Sequence, residues 1–595
     1  MRALAGWVLA LSLVASPAFA AGSGGDSAGT SSSTTSDSSS STASAVAKTD
    51  ASALENEIND LRDMIDSQSK QMASQDDKLK VEQEKLQSLQ EQLKAVTSVS
   101  TSAPATAAVT TANAARPSAE PNPSPAPAAA PQGGAAPAPS PLYFSIGSAH
   151  FTPLGFMDLT NVFRAPVIGS GIGTNFGALP YRTTGNFPAS GLTEDRFSAQ
   201  NSRLGIRIDA NVAGGQAIGY LETDFLGNQA GTISVSSNSI TLRMRVYFID
   251  YTKGKIEILG GQDWSMLTPN RVGINPIPGN IFFSQDMDTN YQAGLVWERT
   301  PQFRFIYHAS KAATFGVSLE NANQYLGGGN GSGASIAATG FTLTGGGAQQ
   351  VDNGASSNGL NIANVIPDIV VKAAFDPMVA KRNFHFEVSG LYKQFRVNTF
   401  IPPATGLSGG TSLNDSSSGG AVSANVNLEV IKNLHVIANS YWSDGGGQKI
   451  FGQAPDVVIN PQPNATSAFQ VRPLHSGSGI GGAEWQFVPK VMIYGYYGTI
   501  FISKDAFACT AAGGSPACGY GVATATASTA ESQNRLIREG TIGVIPVFWR
   551  SPNYGALQLI TQFSYLSRAP WVVVPTSPRM AHGVMAWVNL RYVLP

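Results

Sequence analysis

Four arginines stand on the polar side of an alternating pattern. Arg203 and Arg207 fall in NSRLGIRID, Arg243 and Arg245 in TLRMRVYFIDY. The positions between and beyond them are apolar: Leu204, Ile206, Ile208, Leu242, Met244, Val246 and Phe248. Period two places the arginines on one face of extended strands and the apolar residues on the other, with Tyr247 on the arginine side. Guanidinium groups stay charged and grip carboxylates with two parallel hydrogen bonds. Gathered on one polar face, and joined by Arg304 and by Arg271 from a following loop, they are candidates for steering small anions through a pore. Glu222, Asp224 and Glu257 fall in the same stretch, so the field would be transverse. The alternative is that the arginines pair with these carboxylates and only hold the wall.

Other chemistry finds little footing. The histidines at 150, 308, 385, 435, 475 and 582 are scattered and form no HxxxH or HExxH pattern. No Gly-rich phosphate loop follows a strand, and no Ser/His pair stands out. An enzyme, a metal site and a cofactor are therefore not expected. Cys509 and Cys518 share one loop (CTAAGGSPAC). Behind a secretory signal this spacing reads as a disulfide; the alternative is two unpaired surface thiols. A formal net charge of −1 gives no overall polyanion-binding signature, so no nucleic-acid partner is expected.

The elements that must position the arginines recur down the chain. Only 13% of the 595 residues are charged and 42% are hydrophobic, yet no apolar run long enough for a membrane helix follows the N-terminus. Alternation hides the apolar content of membrane strands from such averages. Strands are predicted at 153–163, 201–211, 216–226, 239–252, 255–263, 291–307, 314–321, 367–376, 383–397, 420–431, 434–443, 478–488, 490–503, 534–549, 554–567 and 581–592. The fold class is thus all-β, a sixteen-stranded antiparallel transmembrane barrel. Short and long connections alternate, which puts both barrel ends at the short-turn, periplasmic side. This count requires 291–307 to be one strand through Pro301, with a bulge there that keeps Arg299 out of lipid. Tyr592 and Trp549 are expected at a membrane interface. The loop 264–290, with three prolines and an Ile-Phe-Phe run, is expected to fold into the lumen as a constriction; the alternative is a lid on the rim.

The chain before the barrel divides by composition. Residues 1–20 read as a signal peptide, with Arg2, an apolar core and the cleavage site Ala18-Phe19-Ala20. Residues 21–52 form a disordered Ser/Thr-rich segment. Residues 53–97 carry an apolar seam from Leu54 to Val96 whose three polar members, Gln68, Gln75 and Glu82, all fall at d. That is an α-helical coiled coil needing a partner, with a helix packed on the barrel as the alternative. Residues 98–141 are an Ala/Pro-rich linker, and 142–595 the barrel.

At the arginine-rich block the sequence resembles the DcaP-type outer-membrane porins. The resemblance rests on NSRLGIRID, GYLETDFLG, TLRMRVYFIDY, LGGQDWSMLTP, ERTPQFRF and FGVSLENA, in that order. It implies a homotrimer of sixteen-stranded barrels, passive diffusion, a preference for small anions such as dicarboxylates, and basic lumen residues at Arg203, Arg207, Arg243 and Arg245. The loops 322–366 and 444–477 depart from it by their length and glycine content. So does the ending RYVLP, where an aromatic residue is usual; Tyr592 is the nearest substitute.

The expectation is a Gram-negative outer-membrane diffusion porin for small hydrophilic solutes, anion-preferring and surrounded by lipid. Its coiled coil would stabilise a trimer or reach peptidoglycan or another periplasmic partner. One alternative is a sugar-selective porin with Tyr220, Tyr247, Tyr494 and Tyr496 facing inward. Another, of a different class, is an adhesin or structural tether with a coiled-coil stalk.

Overall fold

The computed structural model describes residues 140–595 except 169–170, 183–189, 228–240, 282–284, 288–289, 327–341, 344–364, 402–409, 461–469, 509–516, 523–532, 574 and 576. The predicted signal peptide, Ser/Thr-rich segment, coiled coil and nearly all of the linker lie outside the described residues. Cys509 does too, so the expected disulfide is not placed.

Sixteen strands form one closed antiparallel barrel. In chain order they are β1 (Ala149–Ala165), β2 (Arg203–Val212), β3 (Gly215–Asp224), β4 (Arg243–Lys253), β5 (Ile256–Trp264), β6 (Arg299–Ser310), β7 (Ala313–Glu320) and β8 (Asp368–Phe375). Then follow β9 (Arg382–Ile401), β10 (Thr411–Ile431), β11 (Leu434–Asp444), β12 (His475–Val488), β13 (Val491–Ile502), β14 (Asn534–Ser551), β15 (Gly555–Pro570) and β16 (Ala581–Val593). Closure is visible at Phe156, which lies opposite Arg203 of β2 on one side and Val593 of β16 on the other. Each of the sixteen predicted segments becomes one strand. β1 starts opposite Ala210 and β16 ends opposite Ala556, so both ends of the barrel lie beside tight turns. In the turn between β2 and β3, Ala213 and Gly214 both have positive φ (49° and 76°), the primed geometry that matches strand twist in a two-residue hairpin.

Alternation decides which way each side chain points. On β6, Phe303, Phe305 and Tyr307 are exposed, while Gln302, Arg304 and Ile306 are buried inside. On β7, Phe315, Val317 and Leu319 are exposed, while Thr314, Ser318 and Glu320 are buried. An apolar outer surface of this kind is the reverse of a protein in water and matches a barrel in lipid. Trp549 and Tyr592, partly exposed with ring centroids 6.0 Å apart, stand at the tight-turn end, where an interfacial anchor is expected. Ile249, outward and 65% exposed, gives a direct test. Ile249→Arg should destabilise the folded barrel by about 2–4 kcal/mol in lipid, read by urea unfolding in vesicles. A surface facing water would tolerate the change.

Three expectations are corrected. First, the arginine strand changes phase. Glu222 pairs with Val246 but Thr223 with Met244, leaving Arg245 as an extra residue. Such a bulge reverses every side chain beyond it. Val246 and Phe248 therefore point inward, and Tyr247 and Ile249 outward. Second, β6 begins at Arg299, not 291, and pairs with β5 through Pro301 without a register shift. No bulge is needed. Pro301 is exposed on the outer face, and Arg299 is the strand's first residue, at the loop end. Third, the connection expected at 398–419 is shorter, because β9 and β10 pair as far as Ile401 and Thr411. These strands have 20 and 21 residues, about twice what a crossing needs. In the upper part of β10 (NDSSSGG) no apolar residue alternates with the polar ones, so no periodicity announced it.

Candidate permeation site

The loop joining β5 to β6, residues 265–298, folds into the barrel. The Ser265 N–H donates to the Glu298 carbonyl (2.8 Å), which ties its two ends together. Between them the chain reaches strands across the interior. Lys372 Nζ of β8 donates to Thr268 O (2.9 Å), Asn270 Oδ1 (3.0 Å) and Glu387 Oε1 of β9 (3.0 Å). Asn425 of β10 donates to Asn270 O (3.0 Å). Arg271 makes a two-pronged pair with Glu484 of β12 (2.8 and 2.9 Å). The N–H of Gln285 donates to Tyr496 Oη of β13 (2.8 Å), and that of Met287 to Gln562 of β15 (2.8 Å). Glu539 of β14 accepts from the Ala293 N–H (2.8 Å) and Asn290 Nδ2 (3.0 Å). Buried backbone N–H groups need such partners, and the inward polar positions of β8–β15 supply them. The loop is therefore inside the lumen and not a lid on the rim.

Gly498 of β13 shows how closely the loop lies on the wall. A Cβ at Gly498 would come within 1.8 Å of the Ala293 carbonyl oxygen. Gly498→Ala is expected to push the loop off β13, cost about 1–3 kcal/mol, and raise single-channel conductance. Unchanged stability and conductance would show that the loop does not rest there.

The predicted site residues all appear, but not as one ring. Arg203, Arg243 and Arg245 share two carboxylates. Arg245 bonds Glu222 (2.6 Å) and Asp224 (2.8 Å), Arg243 bonds Asp224 (2.7 Å), and Arg203 lies 3.6 Å from Glu222. Arg203 and Arg245 are buried, with Arg245 5.8 Å from the Trp264 ring centre. The Arg243 side chain is 38% exposed. Arg207 is held by Asp209 (2.7 Å), next but one on its own strand. Arg304 pairs with Asp263 (3.0 Å) and also donates to the Trp264 carbonyl. Glu257 meets His308 (2.7 Å). Arg271 is across the lumen with Glu484, whose carboxylate offsets the effect of burial and keeps the guanidinium pKa raised.

Sequence reasoning missed a second charged cluster. Lys449, in the loop after β11, lies 2.5 Å from Glu298, 3.4 Å from Glu320 of β7 and 3.4 Å from Asp368 of β8. Lys393 of β9 joins Asp456 (2.9 Å) and Asp368 (3.6 Å). Burial works against the Lys449 charge, and the three carboxylates outweigh it, so its pKa is raised. Inward alternation could have flagged Lys372, Glu387 and Lys393; nothing local marks Lys449.

Lys449 belongs to a loop that also enters the barrel. The Trp297 N–H donates to the Lys449 carbonyl (2.8 Å). The loop after β1 joins them: the Gly177 N–H donates to Gln453 (2.9 Å), and Thr174 bonds Asn290. Where the three loops meet, Phe176, Tyr291, Trp297 and Phe451 form a chain of rings with centroids 4.5–6.0 Å apart, favourable edge-to-face spacings. Of the four tyrosines that a sugar channel would turn inward, three do so. Tyr247 faces out, Tyr220 is stacked on Phe248 (5.5 Å), and Tyr494 and Tyr496 are bonded to Gln562 (2.9 Å) and Glu484 (2.6 Å).

Fold and interior together define a closed sixteen-stranded barrel with an apolar outside, a polar inside and long loops folded within. No protein-family model matches the chain, and no curated protein matches it. Among solved structures it is similar to the outer membrane channel DcaP of Acinetobacter baumannii, at 14% identity and TM-score 0.48, covering 75% of this chain and 97% of that one. It is also similar to an anion-selective porin from Comamonas acidovorans, at 9% identity and TM-score 0.39, covering 75% and 99%. A third is OprB of Pseudomonas putida, at 11% identity and TM-score 0.38, covering 74% and 94%. The resemblance lies in the general barrel plan.

Proposed function

We propose that this chain is an outer-membrane diffusion channel for small hydrophilic solutes, with a preference for small anions such as dicarboxylates. The observation that carries the reading is a long loop laid against the inner wall of a closed barrel with an apolar exterior. A barrel of this size has room for an aqueous path, and an inserted loop narrows it. The anion preference draws support from the balance at β2–β4, where three guanidiniums (Arg203, Arg243, Arg245) meet two carboxylates (Glu222, Asp224). One positive charge is in excess there, and Arg243 is the most open of the three. The preference is modest, because Arg207, Arg271 and Arg304 are each matched by an acid, and Lys393 and Lys449 face four carboxylates, Glu298, Glu320, Asp368 and Asp456. The same reading takes the tight-turn end as periplasmic, Cys509–Cys518 as a disulfide, and residues 53–97 as a coiled coil that joins three copies or reaches the cell wall.

Swelling of vesicles carrying the full chain tests it. Succinate should enter faster than a neutral or cationic solute of the same size, and Arg243→Glu should remove the difference. Equal entry of all three, unchanged in the variant, would end the anion assignment.

A further inference from the structure

The outer face of β14 carries a feature that permeation does not use. Arg538 lies between inward-facing Ile537 and Glu539, both fully buried, and is itself exposed on the outside. Arg535, three residues nearer the loop end, is also exposed. It occupies a bulge against β15 and lies 5.8 Å from the Trp571 ring centre. Across the sheet, Arg538 faces Ser567 of β15, which faces His582 of β16. Adjacent strands are about 4.8 Å apart, so Arg538 and His582 are roughly 10 Å apart on one surface. His582 is exposed, and its Nδ1 is 2.6 Å from Tyr565 Oη.

Charge pairing sets this patch apart. Two other exposed arginines at the loop end have acids beside them: Arg196 with Glu194 (3.2 Å) and Arg472 with Asp505 (3.1 Å). Neither Arg535 nor Arg538 has a carboxylate within salt-bridge distance among the described residues, and the adjacent Glu539 points into the lumen. Immediately toward the tight-turn end, the same face is apolar and aromatic, with Ile542, Phe563 and Tyr565 exposed. Aromatic residues mark the edge of the hydrocarbon layer. Two unmatched guanidiniums just beyond that edge stand at the depth of lipid headgroups, where an arginine costs little and a phosphate can pair with it.

We propose that Arg535 and Arg538, with His582 beside them, bind the phosphates of a phosphorylated lipid headgroup in the leaflet at the loop end of the barrel. The inference rests on the membrane-channel reading above. The bidentate fork of each guanidinium suits a phosphate, and the rings of Trp571 and Tyr565 flank the group.

The test uses the full chain in detergent, with lipid A, a phosphorylated glycolipid, as the probe, and native mass spectrometry to measure binding. Single-channel conductance is recorded alongside. Arg535→Gln with Arg538→Gln should weaken lipid A binding at least tenfold while leaving conductance and heat-shifted gel mobility unchanged. The paired Lys substitutions should retain most of the binding. Lipid A bound equally by the Gln variant would overturn the proposal. So would displacement by free pyrophosphate at equal concentration, which would mark a soluble-anion site. A variant that binds lipid normally but loses its oligomeric state would instead show a contact between copies. Channel currents that persist through any of these failures leave the channel reading standing and the lipid site refuted.

Discussion

Replacing Lys449 with methionine should destabilise the folded barrel by about 3–5 kcal/mol, the range for breaking a buried ion pair. The ammonium is 1% exposed and holds three carboxylates drawn from different parts of the chain. Methionine fills much of the same volume but leaves Glu298, Glu320 and Asp368 without their cation. A further bond is affected, because Glu320 also accepts from the Met266 N–H (2.8 Å) at the start of the lumen loop. The loop therefore loses support at both ends, through Glu298 and through Glu320. Unfolding in urea, followed by gel mobility, measures the stability. Open-channel noise measures the loop. The sign of the pH effect follows from the raised pKa of Lys449. The stabilisation is complete below the ordinary lysine value of about 10.5 and fades only as pH climbs through the higher folded value. Wild type and variant should thus converge in strong base and differ most at neutral pH. A loss under about 1 kcal/mol would mean that the carboxylates find other partners, such as water.

Arg271→Gln should cost about 3 kcal/mol, near the lower end of the same range, because the Arg271 side chain is 14% exposed and part of the lost bonding is recovered from water. Glu484 would keep the Tyr496 hydroxyl (2.6 Å) and lose both guanidinium bonds. The second change Glu484→Gln removes the stranded charge. The double variant should therefore be more stable than the single one, a coupling of about 1–3 kcal/mol in a double-mutant cycle. Conductance should rise in Arg271→Gln, since the middle of the loop is released from β12. Additive losses in the cycle would mean that the pair contributes nothing of its own.

The strands were legible because period two survives any choice of loop: each predicted segment found its strand, β16 almost to the residue. What alternation could not show was a single extra residue. The bulge at Arg245 leaves composition untouched yet turns Tyr247 outward and Phe248 inward. The same limit hid the upper part of the β9–β10 pairing, where the β10 run NDSSSGG has no apolar residue to repeat. The candidate arginines were visible as residues facing the interior, but their partners were not. Asp224 meets Arg243 and Arg245 only because a particular register brings β3 beside β4. Lys449 was out of reach altogether, since its carboxylates come from a loop end, β7 and β8. Such contacts depend on how loops fold inside the barrel, which no spacing in the chain records.

The most direct measurement is the current through single copies of the full-length assembly in a planar bilayer, with a salt gradient across it. The account expects discrete, long-lived open steps and a reversal potential displaced toward the anion side, with the displacement lost in Arg243→Glu. Absence of any conducting step, or a reversal potential firmly on the cation side, would contradict it.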